Sequence, residues 1–324
     1  MKVAVVGLNS LYACGATSVL LHLSHQSDWD LVSYTETEDE LLRDIPLPDD
    51  LKVIRVGPKN VNEVLKKYDV LLFVFPRWEG NYKFLDKSLS KKITGVVIHD
   101  ERDFVRLNTN HLIERFPGMK LFCFDYTIPE LFRSYKFHVI KHPYNMNIFK
   151  EKPSIPRLDN TTFFVCATRV SPSKNIDKVI RLCDNYPLHI FGVKERNDLP
   201  KEFGSNVFIH YGLYTFEDVS KSYSSAIASI DASTLPHPVK RTQYAFMDAW
   251  RFSIPVLCYR SWIGDELIDK VNCLELTKEN IKELWSDRDL CYEIGHNGYL
   301  TLISNHDPDD VRSDILNNLL GDKK

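Results

Sequence analysis

Short runs of β-branched and other apolar residues alternate along the chain with segments whose apolar residues recur at helical spacing. In the first half, the apolar runs predict strands at 2–7, 30–35, 52–56, 69–75, 95–99, 121–125 and 138–142. The first gap, at 15–25, has helical spacing. Near-continuous apolar strands separated by helix-sized gaps are typical of βα units whose sheet is covered on both faces. The pattern therefore predicts a parallel α/β sheet.

A polar segment with two prolines, 149–161, interrupts this alternation and is the best linker candidate. Beyond it, strands are predicted at 162–168, 188–192, 206–212, 226–231 and 255–259, and helices near 175–185, 216–225 and 241–251. The tail from about 278 to 319 has Leu and Ile at helical spacing. A chain of 324 residues is long enough for two domains. We expect doubly wound domains at 1–150 and 151–300, with a C-terminal helix at 301–324 returning to the first.

Composition excludes some classes of protein. The longest apolar stretch, 70–75, is much shorter than a membrane span, and the N-terminus lacks the features of a signal peptide, which predicts a cytoplasmic protein without a membrane partner. The seven cysteines include no CxxC motif, so we expect reduced core residues, among them Cys123, Cys166, Cys183 and Cys258.

Net charge is −3, but residues 51–150 carry 18 Lys and Arg against 10 Asp and Glu. This local basic excess is compatible with an anionic partner.

Chemistry is expected where parallel strands end, because ligands of open α/β sheets bind beyond the carboxyl ends of the strands. The segment GLNSLYACGAT, 7–17, follows the first strand, and Gly7 and Gly15 permit tight turns before a helix N-terminus that suits an anion. Its spacing matches neither GxGxxG nor a Walker loop. A plain βα turn explains the same residues equally well.

Two further segments carry candidate donor-binding residues. CATRVSPSKN, 166–175, places Arg169 and Lys174 before a helix, where two cations and free amides can neutralise a diphosphate, or where they are simply solvated. KRTQYAFMDAWRFSIPVLCY, 240–259, places Asp248 in an apolar helix. A buried carboxylate needs a partner, and local backbone or a sugar hydroxyl would serve.

These segments, together with HIFGVKE and DAWRFSIPVL, resemble the nucleotide-binding half of retaining GT-B glycosyltransferases. The resemblance implies two Rossmann-like domains that face each other across a cleft, and donor diphosphate contacts from Arg169 and Lys174. Asp248 would contact the donor sugar, although the family commonly has Glu there and a second Glu where this chain has Lys240. The other implied donor-binding residues are Gly7, Gly15, Gly192, Val193, Lys194, Tyr211 and Tyr244. No cofactor and no metal are implied, since a UDP-sugar is a co-substrate and the segment IDAS, 230–233, lacks the second acid of a DxD signature.

A narrower resemblance covers nearly the whole chain in short matches. LYACGATS, VVIHDERDFVRLNTN, TRVSPSK, FGVKER, RTQYAFMD and ELWSDRDLCY are similar, in the same order, to segments of the T-even phage DNA α-glucosyltransferase family, whose acceptor is 5-hydroxymethylcytosine. The match implies that Asp100 and His99 are catalytic: Asp100 positions or deprotonates the acceptor hydroxyl, and His99 acts as a hydrogen-bond donor or orienting group. The isolated His-Asp pair also fits a structural role at the end of a strand.

The implied partners are a UDP-sugar, carrying glucose or a pentose such as arabinose, and double-stranded DNA. For the DNA we expect contacts from Arg77, Trp78, Lys83, Arg102 and Arg106, with the lysines at 87, 91 and 92 as further candidates and Trp78 or Tyr82 filling the gap left by an extruded base. A solvated helix face explains the lysines as well. Two other functions stay open: transfer to a lipid-linked or polysaccharide acceptor, and a non-enzymatic nucleotide-sugar sensor.

Overall fold

The computed structural model forms two units, Met1–Ile148 with His306–Lys324 (unit 1) and Phe149–Asn305 (unit 2). The residues that the structure describes are 1–8, 11, 15–35, 47–74, 82–98, 112–148, 162–168, 174–193, 203–211, 221–234 and 242–321, with backbone alone for Val193 and Tyr211. The predicted linker at 149–161 lies outside them.

Unit 1 contains a seven-stranded parallel sheet in the order β3-β2-β1-β4-β5-β6-β7. Its strands are β1 (Val3–Gly7), β2 (Asp30–Tyr34), β3 (Val53–Val56), β4 (Val70–Val74), β5 (Ile93–Ile98), β6 (Lys120–Cys123) and β7 (Phe137–Val139). Its helices are α1 (Gly15–Ser24), α2 (Val61–Leu65), α3 (Leu112–Arg115) and α4 (Thr127–Leu131), with 3-10 turns at Tyr82–Phe84, Lys87–Lys91 and Met146–Ile148.

Unit 2 repeats the same winding with six parallel strands in the order β10-β9-β8-β11-β12-β13. The strands are β8 (Phe163–Ala167), β9 (Leu188–Val193), β10 (Val207–Tyr211), β11 (Ala226–Asp231), β12 (Val256–Cys258) and β13 (Leu274–Glu275). The helices are α5 (Ile176–Leu182), α6 (Tyr244–Arg251), α7 (Lys278–Ser286) and α8 (Arg288–Asn305), with a 3-10 turn at Arg260–Trp262. The doubly wound α/β architecture predicted from the apolar runs is confirmed. Strand β13 was not predicted, because two residues are too short to produce a pattern.

The C-terminal helix, α9 (Pro308–Leu320), packs on unit 1. It begins at Pro308 after Asp307, whose carboxylate accepts a hydrogen bond from the backbone of Asp309 at 2.7 Å. Arg312 then donates to the carbonyl of Leu23 at the end of α1, at 3.0 Å. The region predicted as one helix over 301–324 is therefore divided, because the proline starts a new helix after α8 ends at Asn305.

The core supports the cysteine prediction. Cys123, Cys166, Cys183 and Cys258 are all buried free thiols. Burial raises the pKa of the Cys183 thiol to about 12, so that thiol stays protonated at neutral pH.

No helix among the described residues is both long and apolar enough to cross a membrane.

A pair of histidines lies on the two outermost strands at one side of the unit 2 sheet, β9 and β10. His189 on β9 stacks on Phe163 with ring centroids 3.8 Å apart, and its Nδ1 lies 3.0 Å from Nε2 of His210 on β10. Burial, and then the neighbouring His210, lower the pKa of His189 to about 4. The neutral ring is therefore the form that the folded protein accommodates.

This lowered pKa predicts a specific sensitivity to acid. An unfolded histidine titrates near pH 6.5, so between about pH 6.5 and 4 the unfolded chain binds a proton that the folded chain does not, and stability falls as pH falls through that range. We expect His189→Gln to reduce the difference in urea midpoint between about pH 7 and pH 5. The control His296→Gln should keep the full difference, and an unchanged difference in His189→Gln would contradict the assignment.

Candidate functional site

Each sheet reverses its direction of winding at one place, beside its first strand. In unit 2 the predicted donor residue Lys174 lies at that place. From β8 the chain winds outward to β9 and β10 and then returns to the other side of β8 as β11. The loops after β8 and β11 therefore diverge and leave a crevice at the carboxyl ends of these strands. Lys174 is in the first of these loops, immediately before α5, and Asp231 ends β11.

Lys174 reaches across this crevice to the end of β11. Its Nζ donates to Oγ of Ser233 at 2.6 Å and lies 3.5 Å from Oδ2 of Asp231. The Lys174 side chain is 22% exposed, whereas that of Asp231 is 4% exposed. An ammonium has three N–H donors, so the two contacts orient the cation, and the third N–H has no partner among the described residues.

Asp231 gathers several donors around one buried carboxylate. Its Oδ1 accepts from the backbone N–H of Ser233 at 2.7 Å and from the Ser233 hydroxyl, and its Oδ2 accepts from Nε2 of Gln243 at 3.0 Å. Gln243 immediately precedes α6, so this bond fixes the N-terminus of that helix beside Lys174. A cation and a helix N-terminus at one crevice form a site suited to a diphosphate.

The backbone around Asp231 is held from two sides. Nδ2 of Asn175 donates to the carbonyl of Ala232 at 2.9 Å, and Nε1 of Trp262 donates to the carbonyl of Ser233 at 3.1 Å. Asp231 and Ser233 are missed from the sequence because IDAS, 230–233, lacks the second acid of a DxD motif. The available signal was an acidic residue at the end of an otherwise apolar strand, where a buried charge requires a partner.

Asp248 and Tyr244 lie one turn apart on α6. Burial raises the pKa of the Tyr244 phenol well above its usual range, and the Asp248 carboxylate raises it further. The pKa of Tyr223 is raised by the same two causes, in the same order. The negative charge of Asp248 therefore raises the pKa of two buried phenols, both of which stay neutral at neutral pH. The structure tests neither interpretation of Asp248, a bond to local backbone or a contact with the donor sugar. Both stay predictions.

Three other predicted donor residues of unit 2 that the structure describes, Gly192, Val193 and Tyr211, lie on the side of β8 away from β11. Gly192 has φ of +88°, a conformation that glycine adopts most readily, at a point where β9 has one more residue than β10 between paired positions. Val193 and Tyr211 end these two strands at the carboxyl edge of the sheet. Arg169 and Lys194 lie outside the described residues. The nucleotide-binding role of this group stays a prediction.

In unit 1, Gly7 ends β1 beside the change of winding between β1 and β4. A Cβ at this position would lie 2.7 Å from Cδ1 of Leu20, so the glycine lets α1 pack closely on the strand, whether or not it also admits a ligand. Gly15 begins α1, and no heavy atom of the described chain lies within 4 Å of a Cβ built there. Strand β5 ends at Ile98; His99 and Asp100 follow it in the sequence and lie outside the described residues.

The predicted DNA contacts are only partly described. Lys83 is exposed in the turn Tyr82–Phe84, and its carbonyl accepts a hydrogen bond from Nη2 of Arg115 at 2.9 Å. Tyr82 is 1% exposed and belongs to the core of unit 1, so the prediction that it fills the gap left by an extruded base is wrong. Arg77, Trp78, Arg102 and Arg106 lie outside the described residues.

Within the part of the chain that the structure describes, no group of three or more His, Cys, Asp or Glu side chains is arranged to hold a metal ion.

Both parallel sheets contain the strand order 3-2-1-4-5-6, counted within each unit, and the sheet of unit 1 adds a seventh strand at one edge. The chain has an α/β fold of the GT-B type, which confirms the predicted fold class. The structure is similar to that of an α-glucosyltransferase in complex with UDP and a 13-mer DNA containing an HMU base. The TM-score is 0.76 at 14% identity, over 99% of this chain and 100% of the other. The predicted resemblance to the DNA α-glucosyltransferases is thereby confirmed at the level of the fold.

Two more solved structures share the fold. The DNA-modifying enzyme β-glucosyltransferase gives a TM-score of 0.64 at 11% identity, over 99% of both chains. Sucrose-phosphate synthase from Thermosynechococcus elongatus gives 0.66 at 13% identity, also over 99% of both chains. No protein-family model matches the sequence, and no curated protein matches it.

Proposed function

We propose that this chain is a glycosyltransferase that moves a sugar from a UDP-sugar to the hydroxymethyl group of 5-hydroxymethylcytosine in double-stranded DNA, with retention at the anomeric carbon. The observation that carries the proposal is the whole-chain similarity to an α-glucosyltransferase in complex with UDP and DNA. The short sequence matches in the same order add support. A DNA acceptor implies action in the cytoplasm, that of the infected bacterium if the chain is phage-encoded.

We assign the binding of the UDP-sugar and the stabilisation of the departing UDP to residues of unit 2. As the bond between the anomeric carbon and the diphosphate oxygen breaks, negative charge develops on the departing UDP. The oriented ammonium of Lys174, Arg169 and the N-terminus of α6 stabilise that charge without a metal ion. Asp248, beside Tyr244, holds the sugar hydroxyls, and Gly192, Val193, Lys194 and Tyr211 surround the nucleotide base.

The acceptor half uses the residues that follow β5. The hydroxymethyl oxygen forms the new bond on the face of the sugar from which UDP departs, and its proton passes to Asp100 or to the departing phosphate. His99 orients the hydroxyl. Arg77, Trp78, Lys83, Arg102 and Arg106 hold the DNA while the modified base is turned out of the helix.

The test is to incubate the protein with hydroxymethylcytosine DNA and a panel of UDP-sugars in the presence of a chelator, and to weigh the digested nucleosides by mass spectrometry. We expect a hexose or pentose increment, and a rate about 10² to 10⁴ times lower for Asp100→Ala. Asp103→Ala, in the same segment, is the matched control and should retain the parent rate.

Three outcomes would count against parts of this proposal. UDP release without a DNA product would favour a carbohydrate acceptor, and UDP-sugar binding without any release would favour a sensor. Equal rates for the parent and Asp100→Ala would remove Asp100 from the chemistry while leaving the acceptor intact.

A further inference from the structure

Lysines stand at the amino ends of four consecutive strands in unit 1, β4 to β7. Because all seven strands are parallel, these amino ends lie along one edge of the sheet, opposite the carboxyl edge where β5 ends at Ile98. We call this feature the basic edge; its members are Lys66, Lys67, Lys91, Lys92, Lys120 and Lys136.

Register and contacts place these lysines next to one another. Leu121 pairs with Phe137, so Lys120 and Lys136 are level on adjacent strands. Both contribute to lowering the pKa of His138, after the larger effect of burial. On the approach to β4 and β5, Nζ of Lys92 donates to the carbonyl of Lys66 at 2.9 Å.

Most of this positive charge is not neutralised by neighbouring acids. Lys66 is paired with Glu63 at 3.0 Å and Asp86 at 3.1 Å. For the other five lysines, the described chain provides no carboxylate within 4.0 Å. Lys67, Lys91 and Lys136 are exposed, whereas Lys92 and Lys120 are half-buried.

On the other half of the same edge, acids stand level with the lysines. Before β1, the register places Asp28 level with Lys2. The backbone N–H of Lys2 donates at 2.8 Å to Asp69, which immediately precedes β4 and therefore lies at the boundary with the basic edge. Before β3, Lys52 is level with Asp30. The excess of positive charge is therefore not a general property of this edge. It is confined to the four neighbouring strands β4 to β7.

The spacing of these charges fits a nucleic acid backbone. Four strands about 4.8 Å apart span about 15 Å, and duplex DNA presents phosphates at about 3.4 Å of helix rise per strand. Lysine contacts phosphate as a point charge and reads no sequence. A membrane surface would require a broad exposed apolar face beside the charges. Among the described residues shortly before β1 and β4 to β7, the exposed large apolar side chains are Met1, before β1, and Leu131 and Tyr135, before β7.

We propose that the basic edge is a second, sequence-independent contact surface for duplex DNA, separate from the acceptor site at the carboxyl edge. The choice of partner rests on the proposed function, but binding here requires neither sugar nor transfer. One protein would then contact the DNA it modifies and a further segment of DNA, and would stay on the DNA between transfers.

The test compares two variants that lose the same charge. Lys67→Gln, Lys120→Gln and Lys136→Gln are combined in one protein, and Lys52→Gln, Lys59→Gln and Lys282→Gln in the control. Binding to an unmodified duplex is measured by fluorescence anisotropy across a salt series. Each lost phosphate contact removes about 0.9 from the slope of log K against log salt, so we expect the basic-edge variant to lose about 2 to 3 from the slope and at least tenfold in affinity. The control should change affinity less than about twofold.

Two results would overturn the proposal. One is an equal salt slope for the basic-edge variant and the control. The other is binding of phosphatidylserine vesicles that the basic-edge variant loses while its DNA binding stays unchanged, which would identify a membrane surface. Transfer to a short modified duplex, assayed separately, distinguishes this result from failure of the proposed function, because the duplex used in the binding assay carries no acceptor.

Discussion

Gly295→Ala should destabilise unit 2 by about 3 kcal/mol, although alanine is intrinsically better than glycine inside a helix by about 1 kcal/mol. Gly295 lies within α8, and a Cβ built there lies 1.9 Å from the carbonyl oxygen of Ser253. That oxygen is backbone, so it cannot rotate away as a side chain would. The helix or the turn after α6 must shift, and urea unfolding measures the cost.

The matched control is Gly118→Ala, where no heavy atom of the described chain lies within 4 Å of the added carbon. We expect a change of less than about 0.5 kcal/mol there. Equal midpoints for Gly295→Ala and the control would show that α8 does not pack on α6 as described. Because α6 carries Tyr244 and Asp248, a shift of the helix should also weaken UDP-sugar binding.

Asp231→Ala should cost about 3 kcal/mol of unfolding free energy and greatly reduce transfer. The substitution leaves the mostly buried Lys174 ammonium without its carboxylate and leaves Ser233 and Gln243 without their acceptor. Removing one member of a buried ion pair costs more than removing both. Lys174→Met in the same protein should therefore recover part of the lost stability while transfer stays low, since the cation for the diphosphate is gone.

Urea unfolding of the two single variants and the double variant gives the coupling energy directly. Asp184→Ala is the control, because Asp184 pairs with Lys278 and both side chains are more than half exposed, and such pairs contribute at most about 1 kcal/mol. Strictly additive effects for Asp231 and Lys174 would contradict the ion pair as an energetic unit.

The strands were predictable because parallel strands covered on both faces are continuous apolar runs, as in β8 and β11. The pairing of Lys174 with Asp231 was not, since 57 positions separate them and only the return of the chain beside β8 brings them together. Tyr82 shows a second limit: the pattern around it does not reveal which side of the turn is buried. Gly7 shows a third limit. Close packing of α1 on β1 and access for a ligand both require a glycine there, so the sequence does not distinguish the two.

The position of α9 has a consequence for the order in which the chain is completed during synthesis. Unit 2 is one continuous stretch, whereas unit 1 is assembled from both ends of the chain. Arg312 and Leu319, which reach the end of α1 and the region of Gly95 on β5, are made after every residue of unit 2. The ribosome therefore finishes every element of the second unit before the first unit receives its final helix, the reverse of the order usual for a chain of consecutive domains.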